Sequence, residues 1–311
     1  MIFTVTLNPA IDKTVVIPCF SPGKVNRIDS LRVDAGGKGI NVSKCLSALG
    51  TESLAATLLG GYSGERLRQM LSEQCIETLH ISIDGETRTN TKIIDPVSRS
   101  NTDVNEPGPL VDAHILNKLK ESISGRIKSG DIVIMSGSLP SGANISTYKD
   151  WCEYFQSRGA SVIIDSDGDA MKEAIKACPC FIKPNGEELS RLVGKRLSGL
   201  NEFVQASYSL LEKGVTELMV SLGAEGALFM NRESSYYAQA PYVEVKSTVG
   251  AGDAMVAAMA YGMEKVLTTK EKIRLAVAMG SASVMCEGTQ APVPETVYKL
   301  AQQVQLQRIN C

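Results

Sequence analysis

Beyond residue 110 the apolar positions of this 311-residue chain switch between two periods. Val111, Ile115, Leu116, Leu119, Ile123 and Ile127 recur on one helical face, and the run that follows, Ile132-Val133-Ile134-Met135, is apolar throughout. A helical stretch around Tyr148 to Gln156 comes next, then Val162-Ile163-Ile164, Phe181-Ile182 and Leu218-Met219-Val220. Amphipathic helices alternating with short, wholly apolar strands predict βα units around a parallel sheet. The opening residues, Met1 to Asn8, read as a buried first strand. Met255, Met259 and Met263 recur at i, i+4 and i+8, which predicts a core stripe, and the single Trp151 reads as packing.

The segments after these strands are of another kind. They run Ser136-Gly137-Ser138-Leu139-Pro140, Asp165-Ser166-Asp167-Gly168, Lys183-Pro184-Asn185-Gly186-Glu187-Glu188 and Ser221-Leu222-Gly223-Ala224-Glu225-Gly226. Polar, glycine-rich segments thus gather at the carboxyl ends of parallel strands, where open α/β sheets bind ligands. They mark an active-site rim. The first third of the chain differs. Thr14 to Pro18, Arg27 to Val33 and Asn90 to Asp95 read as short strands of mixed polarity, predicting a small sheet that projects from the core. That sheet is a candidate lid, built from segments near 13–34 and 88–104 of one domain spanning 1–311.

Composition narrows the field. Hydrophobic residues make up 43% and charged residues 21%, the balance of a folded globular chain. A net charge of −2 without a basic tract argues against a nucleic-acid partner. No apolar run approaches the ~18 residues of a membrane span, and the first residues carry no basic leader, so the expected location is the cytoplasm. The eight cysteines are scattered and read mostly as small buried hydrophobes. Cys178-Pro179-Cys180 has neither zinc nor thioredoxin spacing. The two histidines, His80 and His114, lie in no motif, which leaves any acid–base chemistry to a carboxylate.

The stretch Ser247-Thr248-Val249-Gly250-Ala251-Gly252-Asp253 leads directly into an apolar run of helix formers. A helix beginning there offers an anion free N–H groups and the positive end of its dipole. A carboxylate in that position competes with a bound phosphate unless it takes a proton from a hydroxyl while the N–H groups hold a phosphoryl group in transfer. An ordinary capped turn is the alternative. Gly36-Gly37-Lys38-Gly39-Ile40-Asn41 opens a second helix, running to Gly50. Neither a Walker A sequence nor a Gly-x-Gly-x-x-Gly after a strand occurs, which excludes the simplest signatures of P-loop and dinucleotide-binding enzymes.

The 36–41 and 248–253 segments resemble the two signatures of ribokinase-like sugar kinases, the phosphofructokinase B family. Residues 136–140, Lys183-Pro184-Asn185 with Glu188, and 221–226 match further motifs of that family, in its order. The resemblance implies an α/β, ribokinase-like three-layer sandwich with a mostly parallel central sheet and a β-sheet lid. It implies Asp253 as catalytic base, and the N–H groups of Gly250, Ala251 and Gly252 as an anion hole for the γ-phosphoryl group of ATP. It also implies a nucleotide site at Lys183, Asn185, Ser221, Gly223, Gly226 and Thr248. Asn185 and Glu188 share one face of a first helical turn and would organise Mg²⁺ through water; an N-terminal capping box is the other reading of that pair.

On the acceptor side the resemblance implies sugar-hydroxyl contacts from Asp12, Gly37 and Asn41. Lys38 and Arg88 point to an acceptor that already carries a phosphate dianion, with Asn90, Ser138 and Arg27 beside them. Leu7-Asn8-Pro9-Ala10-Ile11-Asp12-Lys13-Thr14 and Thr87-Arg88-Thr89-Asn90 are similar to the branch acting on ketohexose phosphates, with fructose 1-phosphate the first expectation and tagatose 6-phosphate the second. Residues 98–105 lack a second arginine for a 6-phosphate, Arg99 falling at a hairpin turn, and Asp103 adds a negative charge there. Lids of this family often pair, so a homodimer through the lid is expected.

Overall fold

The computed structural model describes residues 1–309; Asn310 and Cys311, the last of the cysteines read above, lie outside the described residues. In chain order the strands are β1 (Ile2–Thr6), β2 (Ala10–Val16), β3 (Ser30–Gly36), β4 (Ser53–Gly60), β5 (Glu77–Ile83), β6 (Arg88–Asp95), β7 (Ser100–Asn105), β8 (Ile132–Ser136), β9 (Ser161–Asp165), β10 (Phe181–Ile182), β11 (Glu217–Ser221), β12 (Gly226–Asn231), β13 (Ser235–Gln239) and β14 (Gln305–Arg308). The helices are α1 (Lys38–Ala48), α2 (Gly61–Glu73), α3 (Ala113–Ser124), α4 (Thr147–Gln156), α5 (Gly168–Ala174), α6 (Gly186–Val193), α7 (Leu200–Glu212), α8 (Ala251–Glu264), α9 (Thr269–Ser283) and α10 (Pro294–Ala301).

The large sheet runs β14-β13-β12-β11-β10-β9-β8-β1-β4-β5. From β11 to β5 every pairing is parallel, and β12 to β14 add antiparallel strands at one edge. Side-chain alternation builds the two covering layers. Phe3 and Val5 of β1 face a core with Leu116 and Leu119 of α3, Trp151 and Phe155 of α4, and Leu210 of α7. Ile2, on the opposite face, packs with Val42 and Leu46 of α1, Met255 and Met259 of α8, and α9. The methionine stripe is core, and Trp151 meets Phe155 edge-on. This is the ribokinase-like three-layer α/β arrangement. Among the described residues no helix is long and apolar enough to cross a membrane.

Strands are laid outward from β1 in both directions, toward β4 and β5 on one side and β8 to β11 on the other. The boundary between β1 and β8 is therefore a topological switch point, the place where doubly wound sheets form a crevice at their carboxyl ends. A second sheet, β3-β2-β6-β7, stands apart from the first.

Two expectations are corrected. The strand read from Arg27 starts only at Ser30, because Asn26 folds the preceding chain into a turn, accepting from the Ser21 amide and donating to the Ser21 and Lys24 carbonyls. Arg27 is left exposed on the connection. The cysteines are not mostly buried: of the seven described, all free, Cys45 and Cys152 are buried while Cys19, Cys75 and Cys178 are exposed. Each exposed one has φ between 52° and 56°, so it occupies a left-handed position where the chain reverses. His80 and His114 are exposed.

Candidate active site

Five strand ends line the crevice, and their polar residues meet there. At the end of β1, Asn8 donates to the Pro107 carbonyl (3.1 Å) and to Ser138 Oγ (3.3 Å), joining the two sides of the switch point. Its main-chain carbonyl accepts from Arg88 Nε (3.3 Å) and Nη2 (3.0 Å), while Nη1 reaches the Glu106 carbonyl. Three of the five guanidinium N–H bonds are thus committed to the main chain, and two are left for a ligand. The peptide of Gly137, between Ser136 and Ser138, is held by the Tyr148 hydroxyl and Ser166 Oγ, both donating to its carbonyl.

Asp12 on β2 accepts a hydrogen bond from Asn90 Nδ2 on β6 (3.0 Å), a contact set by the parallel register that puts residues 12 and 90 side by side. Burial pushes the Asp12 carboxyl above its usual range, against the pull of Asn90, Lys44 and Arg88. A Cβ at Gly36 would overlap this carboxylate, so only glycine admits Asp12 here. Between the second sheet and the loops carrying Val249 and Thr289 lies a cavity of about 240 Å³, lined among others by Asp12, Asn90, Lys92 and Asp103. The negative charge of Asp103 is accounted for: Lys92 stands 2.6 Å away and pairs with it.

Helix α8 enters from the opposite wall. Gly250, its N-cap, has φ 81° and ψ −7°, a left-handed turn, and no side chain caps the helix start. Asp253 sits in the first turn, 6% exposed, and its Oδ2 accepts from Asn41 Nδ2 on α1 at 2.9 Å. Burial and the neighbouring Asp165 push its pKa up to about 6, while Lys38, Asn41 and Lys183 oppose the shift. A Cβ at Gly252 would lie 2.9 Å from Lys183 Nζ, so the missing side chain makes room for an ammonium over the helix start.

Asp165, at the end of β9, is the charge that sequence reasoning did not single out. It is 1% exposed, and Lys38 Nζ and Lys183 Nζ each stand 3.7 Å from its Oδ1. Neither carboxylate oxygen has a hydrogen-bond partner among the described residues. The Lys38 ammonium is stabilised well above its usual range, first by Asp165 and then by Asp253, Glu188 and Asp167, against its burial. A polar residue closing the apolar run Val162-Ile163-Ile164 was the available signal.

On the remaining rim, Asn185 and Glu188 form a full capping box at α6, Asn185 Oδ1 accepting from the Glu188 amide and Glu188 Oε2 from the Asn185 amide, both at 2.8 Å. Both readings of the pair remain physically compatible, because the cap leaves further lone pairs and the Glu188 charge acts on Lys38. Ser221 bridges to Asn185 across the strand ends. Gly223 has φ 63°, and Gly226 has φ 114° where a Cβ would strike the main chain of Ala240 at 2.7 Å, so the β12–β13 hairpin itself requires that glycine. Thr248 is exposed just before the α8 turn. Gly37, with φ 119°, caps α1. Arg27 forms no hydrogen bond or ion pair among the described residues, and of the residues expected on the acceptor side it is the one the fold leaves apart.

A helix start with free N–H groups, a buried carboxylate in its first turn and a polar wall across the crevice fit a kinase for small alcohols on a ribokinase-like scaffold. Comparison gives the family. The profile of the pfkB family carbohydrate kinases matches residues 5–296, and the chain belongs to that family. It is 34% identical to the 1-phosphofructokinase of Bacillus subtilis (strain 168) over 311 residues, 99% of this chain and 100% of the relative. A crystal structure of phosphofructokinase-2 from Escherichia coli in complex with substrates and products superposes with a TM-score of 0.93 at 30% identity, covering 97% of this chain and 98% of that one. A possible 1-phosphofructokinase from Thermotoga maritima gives 0.89 at 28% identity, with 100% of both chains covered.

Proposed function

We propose that this kinase transfers the γ-phosphate of ATP to fructose 1-phosphate, giving fructose 1,6-bisphosphate in the cytoplasm. The observation that carries the choice of acceptor is the end-to-end likeness to relatives named 1-phosphofructokinase. The site chemistry agrees: Ser138 and Arg88 both meet Asn8, and the Lys38 side chain lies beside Gly137, which gathers donors of the kind an acceptor phosphate needs.

In this reading Asp12, Gly37, Asn41 and Asn90 hold the sugar hydroxyls, and Arg27 adds its charge only when the β2–β3 connection closes. Asp253 accepts the proton of the attacking hydroxyl through Oδ1, Oδ2 being engaged by Asn41. The N–H groups of Gly250, Ala251 and Gly252, with Lys183 above Gly252, receive the equatorial oxygens of the phosphoryl group in flight. Lys183, Asn185, Ser221, Gly223, Gly226 and Thr248 line the nucleotide side. The second sheet acts as a lid that excludes water from the transfer.

Mg²⁺ fits this residue set. Magnesium keeps its water and leans on nucleotide phosphates, so a few hard oxygens suffice to place it. Asn185 and Glu188 carry the hard oxygens that would hold its waters. Bound there, the ion supplies charge neutralisation for the phosphate chain.

The test is ADP release with MgATP and five acceptors: fructose 1-phosphate, fructose 6-phosphate, tagatose 6-phosphate, fructose and ribose. We expect kcat/KM for fructose 1-phosphate to lead by about a hundredfold, some 2.7 kcal/mol of transition-state discrimination. A lead for tagatose 6-phosphate overturns the acceptor alone, and reaction only with unphosphorylated sugars overturns the phosphate roles of Lys38 and Arg88. Exposed Val25, Ile28, Leu31, Val97 and Val104 on the second sheet and its connections support a homodimer through the lid. Sedimentation at micromolar concentration is expected to give twice the 33.3 kDa chain mass, and a monomer rules this out.

A further inference from the structure

Lys44 takes no part in the chemistry described above, yet its ammonium is buried beside it. The residue lies on α1 one turn beyond Asn41 and is 7% exposed. Its Nζ donates to the Ala35 carbonyl at the end of β3, to Asn41 Oδ1 (3.3 Å) and to Thr289 Oγ1 (3.2 Å). Those three bonds use every proton the ammonium has.

An ammonium has no lone pair, so the Asn41 atom facing it must be the carbonyl oxygen. The amide nitrogen is thereby turned the other way, toward Asp253 Oδ2 at 2.9 Å. With Lys44 gone, the amide is free to rotate by a half-turn and set an oxygen against the carboxylate, two acceptors face to face. Burying a cation is costly, and an apolar side chain would fill the same space without that cost.

We propose that Lys44 is a positioning residue for phosphoryl transfer: its ammonium locks the Asn41 amide with the NH₂ toward Asp253, which engages Oδ2 and presents Oδ1 to the acceptor hydroxyl. The proposal rests on the reading of Asp253 as the base. The alternative role is a strap, tying α1 to the end of β3 and to the loop carrying Thr289 without bearing on Asp253.

The charged and titratable groups around the pair come from several elements. Lys44 is faced by Asp34 of β3, Asp12 of β2, Cys45 of α1 and Asp253 of α8. Asp253 is faced by Asp165 at the end of β9, Lys38 and Asn41 of α1, and Lys183 after β10. Removing the Lys44–Asn41 lock takes a donor from the ionised Asp253, so the acid limb of kcat moves to higher pH.

A double-mutant cycle with pH profiles separates the two roles. Lys44→Met is expected to lower kcat by about 10- to 100-fold, leave KM for ATP within about threefold, and raise the acid limb. In an Asn41→Ala background the same substitution is expected to cost less than about a further threefold, because its route is already cut. Losses that multiply, or an acid limb that does not move, overturn the proposal and leave the strap. If Lys44→Met is not recovered folded, Lys44→Arg takes its place. That variant keeps charge and bulk, but its planar fork does not match three diverging acceptors, and the same coupling decides. Asp253→Asn in the same assay keeps the readings apart: retained turnover there refutes the base, whereas lost turnover with a multiplicative cycle refutes only the role of Lys44.

Discussion

Asp253→Asn is expected to lower kcat by about 10²- to 10⁴-fold, the range general-base catalysis supplies, with little change in affinity for ATP. The amide has the same shape and keeps an oxygen for Asn41, so the crevice stays in place while the proton acceptor is lost. As the proposed base, the wild-type carboxylate must be ionised to work. Burial and Asp165 hold its pKa up to about 6, so kcat is expected to fall as pH drops through that value. The variant's residual rate should lack this limb. Stability moves the opposite way. A carboxyl whose folded-state pKa is raised contributes stability that is complete below its unfolded value and is lost as pH rises through about 6. Above that pH the ionised Asp253 opposes folding, and the neutral asparagine is expected to melt higher than wild type at pH 8. A turnover above about a tenth of wild type, where a base contributes at least about a hundredfold, would place the base elsewhere.

The strands and helices that carry this site were readable because their signals are local. An apolar run such as Ile132–Met135 and a glycine turn before a helix former run, as at Gly250, each report on a few consecutive residues. The candidate residues were likewise found where polar positions interrupt those runs. What periodicity does not report is which of them meet. Asp253 and Asn41 are 212 residues apart and touch only because α1 and α8 cover the same face of the sheet. Arg88 reads as a free fork, whereas the switch point spends three of its N–H bonds on Asn8 and Glu106. Asp103 reads as an unexplained charge until the β6–β7 register sets it against Lys92. The misplaced cysteines have the same origin: composition ranks cysteine as a buried residue, but a reversal in the chain decides the exposure of Cys19, Cys75 and Cys178.

Asp165→Asn is expected to be the second most damaging substitution, and to move the pH profile opposite to Lys44→Met. Four charges share the crevice floor: Asp165 and Asp253, Lys38 and Lys183. Neutralising Asp165 removes the nearest negative charge from two ammonium groups, one of them, Lys183, only 5% exposed. The 3.7 Å separations and the unpartnered oxygens mean that Asp165 acts on both lysines as a charge rather than through a hydrogen bond, so the uncharged amide does not replace it. Both ammonium groups then lose the potential that holds them in the crevice, Lys183 over Gly252 at the start of α8, and displacement of such groups by about 1 Å costs on the order of 10²-fold in rate. Asp253 gains by the same change. With its carboxylate neighbour gone and both lysines still present, its ionised form is favoured, and the acid limb is expected to shift below about 6. A pH-rate series on this variant therefore reads two effects at once, a lower plateau and a limb displaced toward acid. A lower plateau with the limb unmoved would mean that Asp165 acts on the lysines without reaching the base. A limb displaced toward alkali would contradict the charge arrangement around Asp253.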